Sequence, residues 1–153
     1  MPNWNSRKLG SFEYDQADVV TFPKGLAGFE KETSFIPVHK DGYEPVVFLQ
    51  SLSSPELCFL TLPVNFVDRG YELRIMNEDL QVIAPSGDHK PPATEDLACL
   101  AIVCLPEQGE ATANLLGPLV VNRKNRVAIQ AIRDDSKYSA TQVIAMLQEP
   151  TPC

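Results

Sequence analysis

At 153 residues with 44% hydrophobic content, the chain can bury a real core, and disorder along its whole length is excluded. A net charge of −7 disfavours direct contact with nucleic acid or an anionic membrane, because phosphate binding needs an excess of Lys and Arg. It suits a basic protein partner, or serves solubility alone.

Taken in order, the chain reads as many short strands. Residues 1–8 are polar and are expected to fray, leaving Trp4 to fold back or to await a partner. Ser11–Tyr14 and Val19–Phe22 read as strands around an Asp15–Asp18 turn, followed by a loop whose Gly25 and Gly28 permit positive φ. Phe35–Val38, Val46–Leu52 and Leu57–Leu62 are the next strands, divided by Asp41-Gly42 and by Ser53-Ser54-Pro55. Asn65–Gly70 connects to a strand at Tyr71–Ile75. Asn77 is placed as the N-cap of a short helix, with Glu78 and Asp79 in its first turn. Ala84–Thr94, rich in Pro, Gly and charge, is expected to be a surface loop.

Leu97–Leu105 is apolar at every position, as in a strand covered on both faces or one in a barrel whose outer side is covered. Leu119–Val121 and Val127–Ile132 form a hairpin across the turn Asn122-Arg123-Lys124-Asn125. After Tyr138 the spacing of Val143, Ile144 and Leu147 predicts a helical face near the C-terminus. About ten short strands favour an all-β fold over βαβ units. We expect one domain over 1–153, frayed at 1–8 and 149–153. The first ten residues lack a signal peptide's apolar stretch, and no run approaches the roughly 20 residues that cross a bilayer. The chain is therefore expected in the cytoplasm, with reduced cysteines.

Reactive chemistry finds little footing. Cys58, Cys99 and Cys104 lie inside apolar strands, where cysteine packs as a small hydrophobe, and His39 and His89 are the only imidazole bases. Cys99 and Cys104 are five apart and diverge across an uninterrupted strand, and no metal-ligand spacing occurs, so neither a metal nor a cofactor is expected. Arg123-Lys124-Arg126 reads as a solvated hairpin turn rather than an RNA contact. Asp134 and Asp135 either turn and cap the chain or recognise a partner's basic groups. Phe29, Leu115 and Leu116 belong either to the core or to an exposed partner groove.

Five segments carry a family likeness. TFPKGLAGFE (Thr21–Glu30), FLQS (Phe48–Ser51), LAIVCLPEQGEATANL (Leu100–Leu115), NLLGPLVVN (Asn114–Asn122) and DDSKY (Asp134–Tyr138) resemble, in order and spacing, the flagellar assembly factor FliW family. In that family a proline more often stands where this chain has Ala27. The resemblance implies the barrel-like, antiparallel version of an all-β fold. It also implies a non-enzymatic binding protein, expected to be a monomer. Its implied partners are newly made flagellin and the translational repressor CsrA, exchanged for one another. The partner-binding residues it implies are Phe29, Gln50, Asn114, Leu115, Leu116, Asn122, Asp134, Asp135 and Tyr138. The alternative is a small β-barrel enzyme or ligand binder, with a polar pocket near Asn114, Asn122 and Asp135.

Overall fold

A computed structural model describes residues 1–84 and 92–144. Seven strands close a barrel, in the order β7 (Leu97–Cys104), β6 (Cys58–Pro63), β5 (Val47–Ser51), β4 (Ser34–Val38), β3 (Val20–Thr21), β10 (Val127–Gln130) and β9 (Leu119–Asn122), with β9 returning to pair with β7. Every neighbour is antiparallel except β3 and β10, which run parallel. Beyond the ring, β8 (Thr112–Ala113) and β11 (Gln142–Val143) extend β7 outward, and β1 (Asn3–Ser6) with β2 (Gly10–Glu13) makes a separate hairpin. Closure leaves the seven-strand ring without a free edge, which removes the usual route to edge-to-edge aggregation.

The alternation of side chains decides what lies inside. Val20, Phe35, Val47, Leu49, Leu100, Leu119, Val121 and Ala128 fill the barrel together with Phe22 and Leu26 from the following loop. Phe22 and Phe35 meet edge to face with centroids 5.4 Å apart, and burying each ring contributes roughly 3 kcal/mol. The opposite faces are covered too. β7 presents Ala101 and Val103 to a second cluster under β8 and Ile144. Val120, Ile129 and Ala131 pack beneath the helix α2 (Asn77–Ile83). This double covering explains why β7 is apolar throughout, as its sequence predicts.

Several elements differ from the sequence expectation, each for a local reason. The N-terminus does not fray at Asn3–Ser6: β1 pairs with β2 in register, Trp4 opposite Phe12, and Ser6 is buried against Gln50. Among the described residues, Trp4 Nε1 is the one buried side-chain polar atom without a hydrogen-bond partner. Val64–Val67 forms a short helix, α1, where a plain connection is expected. Tyr71–Ile75 is not a strand but an irregular strap, because side chains rather than a neighbouring strand satisfy its backbone. Helix α2 starts one residue early: Met76 occupies the cap position expected at Asn77, and Asn77 is already the first helical residue. Where a C-terminal helix is predicted, Gln142–Val143 pairs with β8, and the Ile144 amide donates to the Ala111 carbonyl at 3.0 Å. Two adjacent β-branched residues favour that extended pairing. Leu147, and residues 85–91 of the predicted surface loop, lie outside the described residues.

Candidate functional site

Three of the motif segments converge at one end of the barrel. The Gln130 side chain joins two of them: its Oε1 accepts from the Ala27 amide at 2.9 Å, and its Nε2 donates to the Gly117 carbonyl at 3.1 Å. Asn114 shapes the second loop, its Oδ1 accepting from the amides of Leu116 (3.1 Å) and Gly117 (2.9 Å). Gly117 is constrained by space, since a Cβ there would lie 3.1 Å from Gln130 Nε2. Gly25 is constrained twice over, by φ +66° and by the Glu30 carbonyl oxygen 2.5 Å from where a Cβ would stand. These loops leave two large apolar side chains in solvent, Phe29 at 41% exposure and Ile132 at 51%. Phe29 rests edge-on against Phe59, with centroids 5.4 Å apart.

The third segment, 133–138, clasps the 70–74 strap. The Arg133 side chain is only 3% exposed and forks onto Asp135, with Nε and Nη2 donating at 2.8 and 2.9 Å. Its Nη1 donates to the Glu72 carbonyl at 2.5 Å. Tyr71 and Tyr138 stack at 4.4 Å, and the guanidinium carbon lies 4.8 Å from the Tyr138 ring centre and 5.6 Å from that of Tyr71. Tyr138 Oη accepts from the Glu72 amide at 2.9 Å, and Tyr71 Oη donates to the Leu115 carbonyl at 2.7 Å. Arg74 reaches Asp134 at 3.0 Å. The Asp135 hydrogen bonds raise the Arg133 pKa well above its ordinary value, and Arg133 in turn holds the Asp135 carboxyl below the usual carboxylate range. Burial pushes the Tyr71 phenol up.

The residues implied as partner contacts therefore divide. Phe29, Leu116 and Asp134 reach the surface. Leu115, at 0% exposure, belongs to the core beneath them. Asn114, Asp135 and Tyr138 hold the loops in place. Gln50 sits apart, 0% exposed on the outward face of β5, where its side chain receives Ser6 and donates to the Ser51 carbonyl. Asn122 is buried as well, donating to the Ile83 carbonyl at 2.9 Å and accepting from the Lys124 amide at 3.0 Å. Sequence reasoning missed Gln130, Ile132, Arg133 and Tyr71. Only Ile132, apolar at the end of a strand, carried a signal that could have found it.

Cys58 and Cys99 are half-buried, and burial pushes the Cys99 thiol up to about 12, far from a reactive thiolate. Cys104 is exposed rather than packed, because it sits at the end of β7 beyond the covered stretch. Among the described residues no three His, Cys, Asp or Glu side chains converge as metal ligands would. His89 and Cys153 lie outside those residues. A cleft of about 1140 Å³ opens at the barrel end where β3 and β5 begin, and His39 lines it. Asn114, Asn122 and Asp135 do not line it, so no polar pocket forms around them there.

Comparison with known proteins agrees with this architecture. The sequence model of the FliW family, described as FliW protein, matches residues 3–144. The chain is 33% identical to the flagellar assembly factor FliW of Syntrophomonas wolfei, across 91% of this chain and 86% of that one. It is 34% identical to the protein of the same name from Bacillus licheniformis, across 88% and 91%. A solved structure described as the flagellar assembly factor FliW superposes with a TM-score of 0.80 at 24% identity, covering 94% of this chain and 96% of that one, which shows the shared fold. The chain belongs to the FliW family.

Proposed function

We propose that this FliW-family protein is a cytoplasmic flagellar assembly factor that binds newly made flagellin and, by exchanging partners, antagonises the translational repressor CsrA. The family match over residues 3–144 carries the reading. When flagellin is plentiful it occupies the factor and leaves CsrA free to block flagellin translation. Once flagellin is exported, the released factor captures CsrA and lifts the block. The protein acts by gripping and releasing, with no bond made or broken.

Physical features favour this reading. Phe29 and Ile132 are large apolar side chains left exposed, and the exposed acids Glu30 and Asp134 lie beside them in sequence, a mixture suited to docking another protein. Its loops are tied by Gln130 and by the Arg133 clasp, so little ordering entropy is lost on association. A net charge of −7 complements a protein such as CsrA, whose RNA-binding surface must be basic. The closed ring has no free strand edge, which favours docking on side chains over strand addition to the barrel.

The test is titration calorimetry with cognate flagellin and with CsrA, alongside a pull-down from lysate. We expect one-to-one binding to each partner, and flagellin as the dominant prey. Absence of heat with both partners would end the proposal.

A further inference from the structure

Residues 70–84 cross the outward side of β9 and β10, packing Leu73, Ile75, Leu80 and Ile83 on Val120, Ile129 and Ala131. The two ends of this stretch are held in different ways. At the far end Asn122 and Asn125 both donate through Nδ2 to the Ile83 carbonyl, at 2.9 and 3.0 Å, which pins the last turn of α2 to the β9–β10 turn. The near end has no such anchor. Among the described residues, the backbone of Glu72, Leu73, Arg74 and Ile75 bonds to no other backbone group. Its polar ties run to side chains of the Arg133 clasp: the Glu72 amide donates to Tyr138 Oη, and the Glu72 carbonyl accepts from Arg133 Nη1.

The same clasp also reaches the other way, to the motif loop at 114–117. Tyr71 Oη donates to the Leu115 carbonyl at 2.7 Å, and the Arg133 amide donates to the Leu116 carbonyl at 2.9 Å. A strap that lifts must therefore break both Glu72 bonds, unstack Tyr71 from Tyr138 and release the Leu115 carbonyl. We propose that the Tyr71–Arg133–Tyr138 clasp is a latch that makes the strap at 70–75 and the loop at 114–117 open and close as one unit, while α2 stays pinned at Ile83. Tightening the loop then tightens the strap, and the coupling is reciprocal. A change at the motif end of the barrel is carried in this way to the helix on its flank. The latch is built from this chain alone and acts whichever partner the motif surface takes.

NMR-detected amide hydrogen exchange of the full chain over a series of low urea concentrations tests it. The reporters are the amides of Glu72, Leu116, Gly117 and Arg133, each hydrogen-bonded within the strap, loop or clasp. They are expected to share one opening, with a urea slope well below that of the β7 amides, which need global unfolding. Two variants disturb the latch from opposite sides. Tyr71→Phe removes the hydroxyl that donates to Leu115, and Leu73→Ala trims a half-buried strap side chain packed under α2. In each variant the four amides should speed up by a common factor, roughly fivefold in Tyr71→Phe for the loss of one part-buried neutral hydrogen bond. Acceleration of the loop amides alone in Tyr71→Phe, or of Glu72 alone in Leu73→Ala, overturns the latch. So does a urea slope at these amides equal to that of β7, which makes them reporters of global unfolding only.

Discussion

Replacing Gln50 by Leu separates scaffold from contact. Gln50 lies within a family motif, yet it is 0% exposed and faces outward from β5 beneath the N-terminal hairpin. Its Oε1 accepts from Ser6 Oγ at 2.6 Å, and its Nε2 donates to the carbonyls of Ser51 (3.0 Å), Ser54 (3.3 Å) and Pro55 (3.4 Å). The Ser54 and Pro55 carbonyls are only part-buried and can turn to water. The Ser6 hydroxyl and the Ser51 carbonyl cannot, so two groups lose a partner in the dry interior. At about 1–3 kcal/mol for each of the two stranded groups, offset by roughly 1 kcal/mol from the added apolar side chain, Gln50→Leu should cost about 1–5 kcal/mol. For a chain of this length that lowers Tm by roughly 2–20 °C. Partner affinity per folded molecule should not change. Thermal melts, followed by calorimetry on the folded variant, read both quantities. An unshifted Tm would refute the hydrogen-bond assignment. Lost affinity at full stability would make Gln50 a direct contact and refute the division between scaffold and surface.

Gly25→Ala forces a Cβ to within 2.5 Å of the Glu30 carbonyl oxygen at φ +66°, and should destabilise by about 2–4 kcal/mol in a urea titration with unchanged slope. Arg133→Gln breaks the fork onto Asp135. Because Asp135 keeps 30% side-chain exposure, the expected loss is about 2–3 kcal/mol, below that of a fully dry pair, and Arg133→Lys should not restore it. The same pair sets a pH dependence. The Asp135 carboxyl is held below its unfolded value, so its contribution is present above about pH 4 and is lost as pH falls through the folded value. Denaturant titrations between pH 5 and 2 should therefore be flatter in Arg133→Gln than in the parent. Ile132→Ser, on an exposed side chain, should shift stability by less than about 1 kcal/mol and lower CsrA affinity roughly tenfold.

The all-β barrel was legible because closure needs strands covered on both faces, and Leu97–Cys104 declares that requirement in eight apolar residues. The hairpin at 119–130 was legible from its alternation and turn. Pairings set by distant partners were not. Tyr71–Ile75 has strand-like alternation, but its backbone is satisfied by Arg133 and Tyr138, more than 60 residues away. Asn3–Ser6 looks polar and loose until Gln50 supplies a buried acceptor for Ser6. The motif segments meet at one end of the barrel, yet sequence could not sort which of their members are buried and which exposed. Leu115 and Leu116 are identical neighbours in the sequence, and only the three-dimensional path buries the first and leaves the second at the surface.

Competition calorimetry tests partner exchange most directly. The protein is first saturated with cognate flagellin and then titrated with CsrA, beside an unloaded control. The account predicts clear heat in the control and little or none in the loaded sample. CsrA binding with equal affinity to both samples would contradict it.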